Sequence, residues 1–501
     1  MRHITKQFPG VLANDDVNLT VDAGETVALL GENGAGKTTL MNILYGLYTP
    51  TSGEVLVDGS PLDLGSPGDA IEAGIGMVHQ HFMLVPVFTV AENVVLGFEP
   101  TKRIGWLDLQ KARKTVREIS SRYNLDVDPD ALIEDLPVGF QQRVEIIKVL
   151  AREARFLVFD EPTSVLTPTE VEGFFDIVSG LKADGKGIIF ISHKLGEALE
   201  VSDRIVIMRR GKTVAEVDPA DVDEKKLAEL MVGRPVDLLV DRAVATPTDV
   251  VLSVDDLTVL DDRNNTAVDG ISFTVRAGEI VGIAGVQGNG QTELVEAITG
   301  LRQSLGGTVS LIGEDVTTKS PRAIHKLNVA HVPEDRQKSG LVLPFTVTEN
   351  IVLDSYHEEP ISRGVQMNWN AAREQAERLV EQYDVRTPGI DVLVKNLSGG
   401  NQQKVIVARE FDRDVKLVIA SQPTRGIDVG SIEYIHARIV EERDEGAAVL
   451  IVSSELDEVR ALSDRIIVMY DGKIAGEFDG SATVTEIGLA MLGSASDAEA
   501  S

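Results

Sequence analysis

Short, almost purely apolar runs recur along this chain, each followed by a longer stretch with helical spacing. ETVALL (25–30), RFLVFD (155–160) and GIIFIS (187–192) are the clearest runs of the first half. KLVIAS (416–421) and AVLIVS (448–453) are their partners in the second. Apolar runs of this length without alternation read as strands buried on both faces. Strands alternating with helices predict an α/β fold built on a mostly parallel sheet. The stretch from Gly36 to about Tyr45 is the helix expected after the first run.

The pattern is written twice. VPVFTVAENVVLG (85–97) returns as VLPFTVTENIVLD (342–354), and VSDRIVIMRRGK (201–212) as LSDRIIVMYDGK (462–473). Two homologous halves of about 230 to 250 residues follow, each suited to one domain. The polar, proline-containing stretch GRPVDLLVDRAVATPTDV (233–250) separates them. The expected organisation is a first domain 1–233, a linker 234–249, a second domain 250–492 and a disordered tail 493–501. The first half is short at its start: VVLSVDDLTV (250–259) precedes the second repeat, but only MRHIT precedes the first, so a leading strand is expected to be missing there.

Composition changes the picture mainly by exclusion. With no cysteine among 501 residues, disulfides and thiolate metal sites are ruled out. A net charge of −31 without a local basic cluster repels phosphate backbones and anionic lipid, so nucleic acid is not an expected partner. No apolar run is long enough to span a membrane, and MRHITKQFPG lacks a signal-peptide core. A cytosolic chain is expected.

The candidate chemistry begins at GENGAGKT (31–38), between a predicted strand and a predicted helix. In that context the glycines let backbone N–H groups face β- and γ-phosphates, and the helix N-terminus adds positive potential. Lys37 would bridge the phosphate oxygens, and the Thr38 hydroxyl would ligate Mg²⁺. FLVFDEPTS (156–164) ends a strand with two carboxylates. Asp160 would hold Mg²⁺ through water, and Glu161 would orient and deprotonate an attacking water. His193, at the end of GIIFIS, would reach the γ-phosphate, and the amide of Gln80 in GMVHQHF would sense Mg²⁺ or the water. Phe8 either stacks on adenine or fills a small core.

This constellation resembles the ATP-binding cassette (ABC) family, whose signature sequence stands in the second half as LSGGNQQK (397–404). The resemblance covers essentially the whole chain. It implies two P-loop ATPase domains, each a mostly parallel core sheet with an antiparallel β-subdomain and a helical subdomain. They would pack head to tail, with ATP between one phosphate loop and the other domain's signature. The contacts implied for ATP are Phe8, Gly31, Asn33, Gly34, Gly36, Lys37, Thr38 and Thr39 from the first half. Ser398, Gly399, Gly400, Gln402 and Asp428 would come from the second. Thr38, Gln80 and Asp160 would hold Mg²⁺, and Glu161, His193 and Gln80 would carry the chemistry.

The two halves are damaged in complementary ways. In the second, GVQGNGQT (285–292) has Gln291 for Lys37, Ser421 for Asp160, Gln422 for Glu161, Ser454 for His193 and Glu334 for Gln80. Its signature and Asp428 are intact. In the first, LPVGFQQR (136–143) has Pro137 for the serine and Val138 for the first glycine, and Thr167 stands where the second half has Asp428. Proline removes a hydroxyl and an N–H, and valine blocks close backbone approach. Every intact element thus falls to one composite site.

VPEDR (332–336) and QPTRGID (422–428) look like the ATPase subunit of carbohydrate-class importers. HQHFMLVP (79–86) and LPVGFQQRVEI (136–146) look most like the nucleoside-importing branch, with ribose or galactose import as the alternative. The resemblance implies a peripheral protein on the cytoplasmic face of the membrane, with two permease subunits and, through them, an extracytoplasmic solute-binding protein. Permease contact is expected from Phe82 to Phe88 and from Pro333 to Phe345. Ribosome-associated factors and DNA-repair proteins also fuse two cassettes, but a basic linker, zinc cysteines and coiled coils are all lacking here.

Overall fold

The computed structural model describes residues 1–79, 82–102, 106–163, 166, 168–192, 194–235, 242–286, 288–491 and 493. Gln80, His193 and Thr167 lie outside the described residues, as do much of the expected linker and nearly all of the expected tail. The chain divides into two units, 1–236 and 237–501.

The core of the first unit is a six-stranded sheet. Its strand order is Lys212–Val217, Arg204–Arg209, Thr26–Leu30, Gly187–Ile191, Phe156–Asp160, Ile75–Val78. Five strands run parallel, and Lys212–Val217 closes one edge antiparallel. All five residues of Thr26–Leu30 are buried, which is why the run reads as uninterrupted apolar sequence. On one face lies helix Lys37–Leu44 with a four-stranded antiparallel sheet, sharing a core that includes Ile4, Leu29, Leu40 and Ile43. On the other lie Val90–Val95, Leu109–Arg122, Val138–Leu150 and Pro168–Ala183. There Phe159 meets Phe174 edge to face at 5.4 Å.

The leading strand expected to be missing from the first half is present in shortened form. Arg2–Phe8 forms the leading strand, paired with Val11–Val17 and Ser52–Val57, in the place that Val250–Leu260 takes in the second unit. It has 7 residues against 11, and Ile4 is the one residue of the strand that is fully buried, so its apolar pattern is faint.

The second unit repeats the design, with a six-stranded sheet in the order Val329–Val332, Leu417–Ser421, Ala448–Ser453, Ile280–Ala284, Arg465–Tyr470, Lys473–Asp479. The repeated FTVAEN and FTVTEN have a local physical cause. Thr89 with Glu92, and Thr346 with Glu349, form reciprocal capping boxes on the helices Val90–Val95 and Val347–Ile351. The following asparagines clamp the preceding segment: Asn93 accepts from Val85 N at 2.7 Å and donates to Val85 O at 3.1 Å. Asn350 does the same with Val342 at 2.9 and 3.1 Å. Among the described residues no helix is long and apolar enough to cross a membrane.

Candidate active site

In the first unit's sheet, Gly187–Ile191 lies between Thr26–Leu30 and Phe156–Asp160, so the loops leaving their carboxyl ends converge. Open α/β sheets place ligands at such ends. The GENGAGKT loop enters helix Lys37–Leu44 through Gly36, at φ 101°, a left-handed conformation that a side chain strains. A Cβ there would also collide with Ala13 O and Asn14. Asn33, Gly34 and Thr38 are exposed along the crest, Gly31 is buried and Thr39 half-buried. Phe8 is half-buried and packs edge-on against Tyr48 at 5.5 Å, with Lys6 Nζ 5.1 Å from its ring centre.

Lys37 is only 8% exposed, and its ammonium folds back to donate to Gly31 O at 2.5 Å and Glu32 O at 3.1 Å. Burial pulls its pKa below the usual value, opposed by the charges of Glu161, Asp160 and Glu32. Asp160 is pushed up to about 6, by burial first and by Glu161 second, with Lys37 opposing. Asp160 and Glu161 thus bring two carboxylates to the mouth of the phosphate loop, close enough to Lys37 to shift its charge equilibrium. With the exposed Thr38 hydroxyl, this oxygen donor set suits a hard divalent cation. Glu161 sits at φ 48°, unusual for a non-glycine residue, and its N–H is pinned to Ile191 O at 2.9 Å. The turn holds its backbone whatever the side chain carries. Just beyond, Thr163 and Ser192 donate to Glu197 at 2.6 and 3.1 Å, tying two of the converging loops together.

The Asp160 shift makes a stability prediction. A carboxyl with a raised native pKa contributes stability that is full below its unfolded value near 4 and is lost as pH rises through about 6. Asp160→Asn in the nucleotide-free protein should therefore raise Tm relative to wild type at pH 7.5 and lose most of that advantage by about pH 4. Thermal melts at the two pH values check this.

The second unit keeps the scaffold without the charges. Gln291, 8% exposed, folds back as Lys37 does and donates to Val286 O at 3.2 Å. Gln422 repeats the turn at φ 47°, its N–H on Val452 O at 2.7 Å, and accepts from Ser454 Oγ at 3.2 Å. Glu334 accepts from Thr292 Oγ1 at 3.1 Å and from Arg425 Nη1 at 2.7 Å. The hydroxyl matching Thr38 thus faces a carboxylate held by an arginine.

At the intact signature, Ser398 caps helix Gly399–Phe411, accepting from Asn401 N at 3.4 Å and from Asn401 Nδ2 at 2.8 Å. A Cβ on Gly400 would strike Ser431 Oγ and lie 2.8 Å from Asp428 Oδ2, so only glycine allows the signature and the Asp428 loop to touch. Asp428 caps helix Val429–Asp444 through Ser431 N at 2.9 Å. Gln402 turns inward: it is 2% exposed, donates to Val394 O at 3.2 Å and accepts from Gln337 Nε2 at 3.2 Å. In the first unit Pro137 stands at the helix start with no side-chain cap, and Val138 is 44% exposed. There the Glu170 carboxylate lies against Gly139, where the second unit has Ser431 against Gly400.

The ABC transporter family model matches residues 14–164 and 268–425, together more than half of the chain. The chain belongs to the ABC transporter family. It is 53% identical over 494 residues to the nucleoside import ATP-binding protein NupA of Lactococcus lactis subsp. cremoris, covering 98% of this chain and 97% of that one. It is 49% identical over 495 residues, 99% and 97% of the two chains, to the guanosine import ATP-binding protein NupO of Bacillus subtilis. The glucose import ATP-binding protein TsgD13 of Haloferax volcanii is 46% identical over 525 residues, 98% and 95% of the two chains. Among solved structures, the archaeal ribosome recycling factor aABCE1 in complex with the stalk protein aP1 matches with TM-score 0.60 and 20% identity. That match covers 94% of this chain and 88% of that one, and at such identity it shows the fold alone.

The protein is an ABC importer ATPase that binds and hydrolyses ATP. ABC import ATPases work with membrane permeases and solute-binding proteins. Sequence reasoning had no hold on Glu170 and Arg336. Glu170 is one more acidic residue at a helix start. Arg336 lies in a segment of nine residues (333–341) between Val332 and Val342, against six (79–84) between Val78 and Val85. That difference in length, and its place at the end of VPEDR (332–336), were its traces in the sequence.

Proposed function

We propose that this ABC ATPase energises nucleoside import by hydrolysing ATP at one composite site. The observation that carries the reading is the sorting of intact elements: phosphate loop and carboxylates from the first half, signature and Asp428 from the second. Independent decay of two sites would not leave one complete set and one doubly broken one.

In this reading Lys37 and the loop N–H groups hold the β- and γ-phosphates, and Ser398 with Gly400 meets the γ-phosphate from the other side. Glu161 takes the proton of the attacking water, with His193 and Gln80 positioning it. Thr38, Gln80 and Asp160 would hold Mg²⁺, which when bound neutralises phosphate charge. Phosphate contacts from both halves favour closure, and hydrolysis removes them, so the chain acts as an ATP-driven clamp. The load is a pair of membrane permeases, with an extracytoplasmic solute-binding protein beyond them and this subunit at the cytoplasmic face. Their docking surface includes Met83 and Val87, 66% and 65% exposed, and Phe345 of the second unit, 40% exposed. Nucleosides are preferred over simple sugars because the nucleoside and guanosine import relatives are nearer in identity than the glucose one.

The test is uptake in cells with the chromosomal gene deleted, complemented by wild type or not, using labelled nucleosides, ribose, galactose and glucose. Nucleoside uptake is expected to fall to background in the deletion and to return with wild type, leaving sugars unchanged. Loss of sugar uptake alone would move the solute to the sugar class.

A further inference from the structure

Three features of the second unit meet at one side chain. Arg336 donates through Nη1 to Arg425 O at 2.6 Å and through Nη2 to Gly426 O at 3.2 Å. These carbonyls belong to the loop that delivers Asp428. The same guanidinium lies over the signature, because a Cβ on Gly399 would come 2.8 Å from Arg336 Nη2. Its neighbour Gln337 donates to Gln402 within the signature helix at 3.2 Å. The segment is itself fixed at its start, where Asp335 accepts from the N–H groups of Gln337 and Lys338 at 2.9 and 3.0 Å. Two backbone carbonyls aimed at one planar guanidinium form a clamp that a fork-shaped donor fits and an ammonium does not.

Among the described residues the clamp is found in the half whose signature is intact. The first half has six residues where the second has nine, with Arg336 among the nine, and its signature carries Pro137 and Val138. We propose that Arg336 is a positioning residue for hydrolysis: it locks the Arg425–Asp428 loop onto the first turn of Gly399–Phe411, so that Ser398, Gly400 and Asp428 form one preformed face for the γ-phosphate. It also ties that face to residues 333–341, so displacement of this segment is felt at the signature. The proposal rests on the composite-site reading. Arg336 touches no nucleotide in it, so loss of the clamp should slow turnover without weakening ATP capture by the Lys37 loop.

The experiment measures kcat and KM for ATP, equilibrium ATP binding and thermal melting on the full chain, for wild type, Arg336→Ala, Arg336→Lys and Ser398→Ala. Arg336→Ala is expected to lose about tenfold or more in kcat, with ATP binding within about twofold of wild type. Arg336→Lys, able to reach one carbonyl, should fall between. Wild-type kcat in Arg336→Ala beside a large loss in Ser398→Ala overturns the clamp and leaves the composite site standing. Wild-type kcat in Ser398→Ala overturns the composite site itself. If Arg336→Ala melts too low to assay, the lysine variant decides, because wild-type kcat there overturns the proposal.

Discussion

Glu161→Gln is expected to lower kcat for ATP hydrolysis by about 10²–10⁴, the range a general base contributes, while ATP binding stays within about twofold. The backbone makes this a clean test. Glu161 is held at φ 48° by its N–H bond to Ile191 O, and the second unit shows that a glutamine keeps the same turn, with Gln422 at φ 47° bonded to Val452 O. The protein therefore already contains the substituted geometry, folded and with its backbone unchanged. What the amide lacks is a basic oxygen. The reverse change, Gln422→Glu, should give no compensating activity in a Glu161→Gln background, because Ser421 and Gln291 still stand where Asp160 and Lys37 are needed. Phosphate release from the purified chain measures both. Activity of Glu161→Gln above about a tenth of wild type would place the base elsewhere.

The parts legible in the sequence are those that local chemistry writes into consecutive residues. Strands such as Leu417–Ser421 and Ala448–Ser453 fall within a residue of the predicted runs, because strands buried on both faces are apolar up to the serine where each meets its loop. Gly36 could be read as the turn before a helix because its conformation excludes most other residues. What stayed hidden depends on partners far along the chain. Arg2–Phe8 is a strand because Val11–Val17 and Ser52–Val57 flank it, although its own pattern is weak. The Arg336 clamp acts on backbone carbonyls some 90 residues away, which carry no side-chain signature. Gln402 falls inside the signature by sequence, yet helical geometry turns it toward Val394. The Glu334–Arg425 pair could not be read either, since Glu334 looked only like a lost glutamine.

The same pair shapes the second large prediction, an asymmetry between the two phosphate loops. Lys37→Ala is expected to cost about 10²-fold or more in kcat/KM, because the buried cation of the phosphate loop is removed from a site that still holds Asp160 and Glu161. Two carboxylates left without their lysine would face a polyanion directly. Gln291→Ala, by contrast, should leave kcat/KM within about threefold, since the amide serves Val286 O inside its own loop. Restoring the lysine should not restore a second active site. Gln291→Lys would place an ammonium beside Glu334, a carboxylate already shared by Thr292 and Arg425. Ser421 and Gln422 leave no carboxylate at the positions of Asp160 and Glu161 to accept the proton of an attacking water. Steady-state hydrolysis by Gln291→Lys is therefore expected at the wild-type rate, and the double variant Lys37→Ala with Gln291→Lys at the rate of Lys37→Ala alone. A recovery in the double variant would mean that the second loop can hydrolyse ATP once it has its cation, and the division of labour between the halves would fall with it.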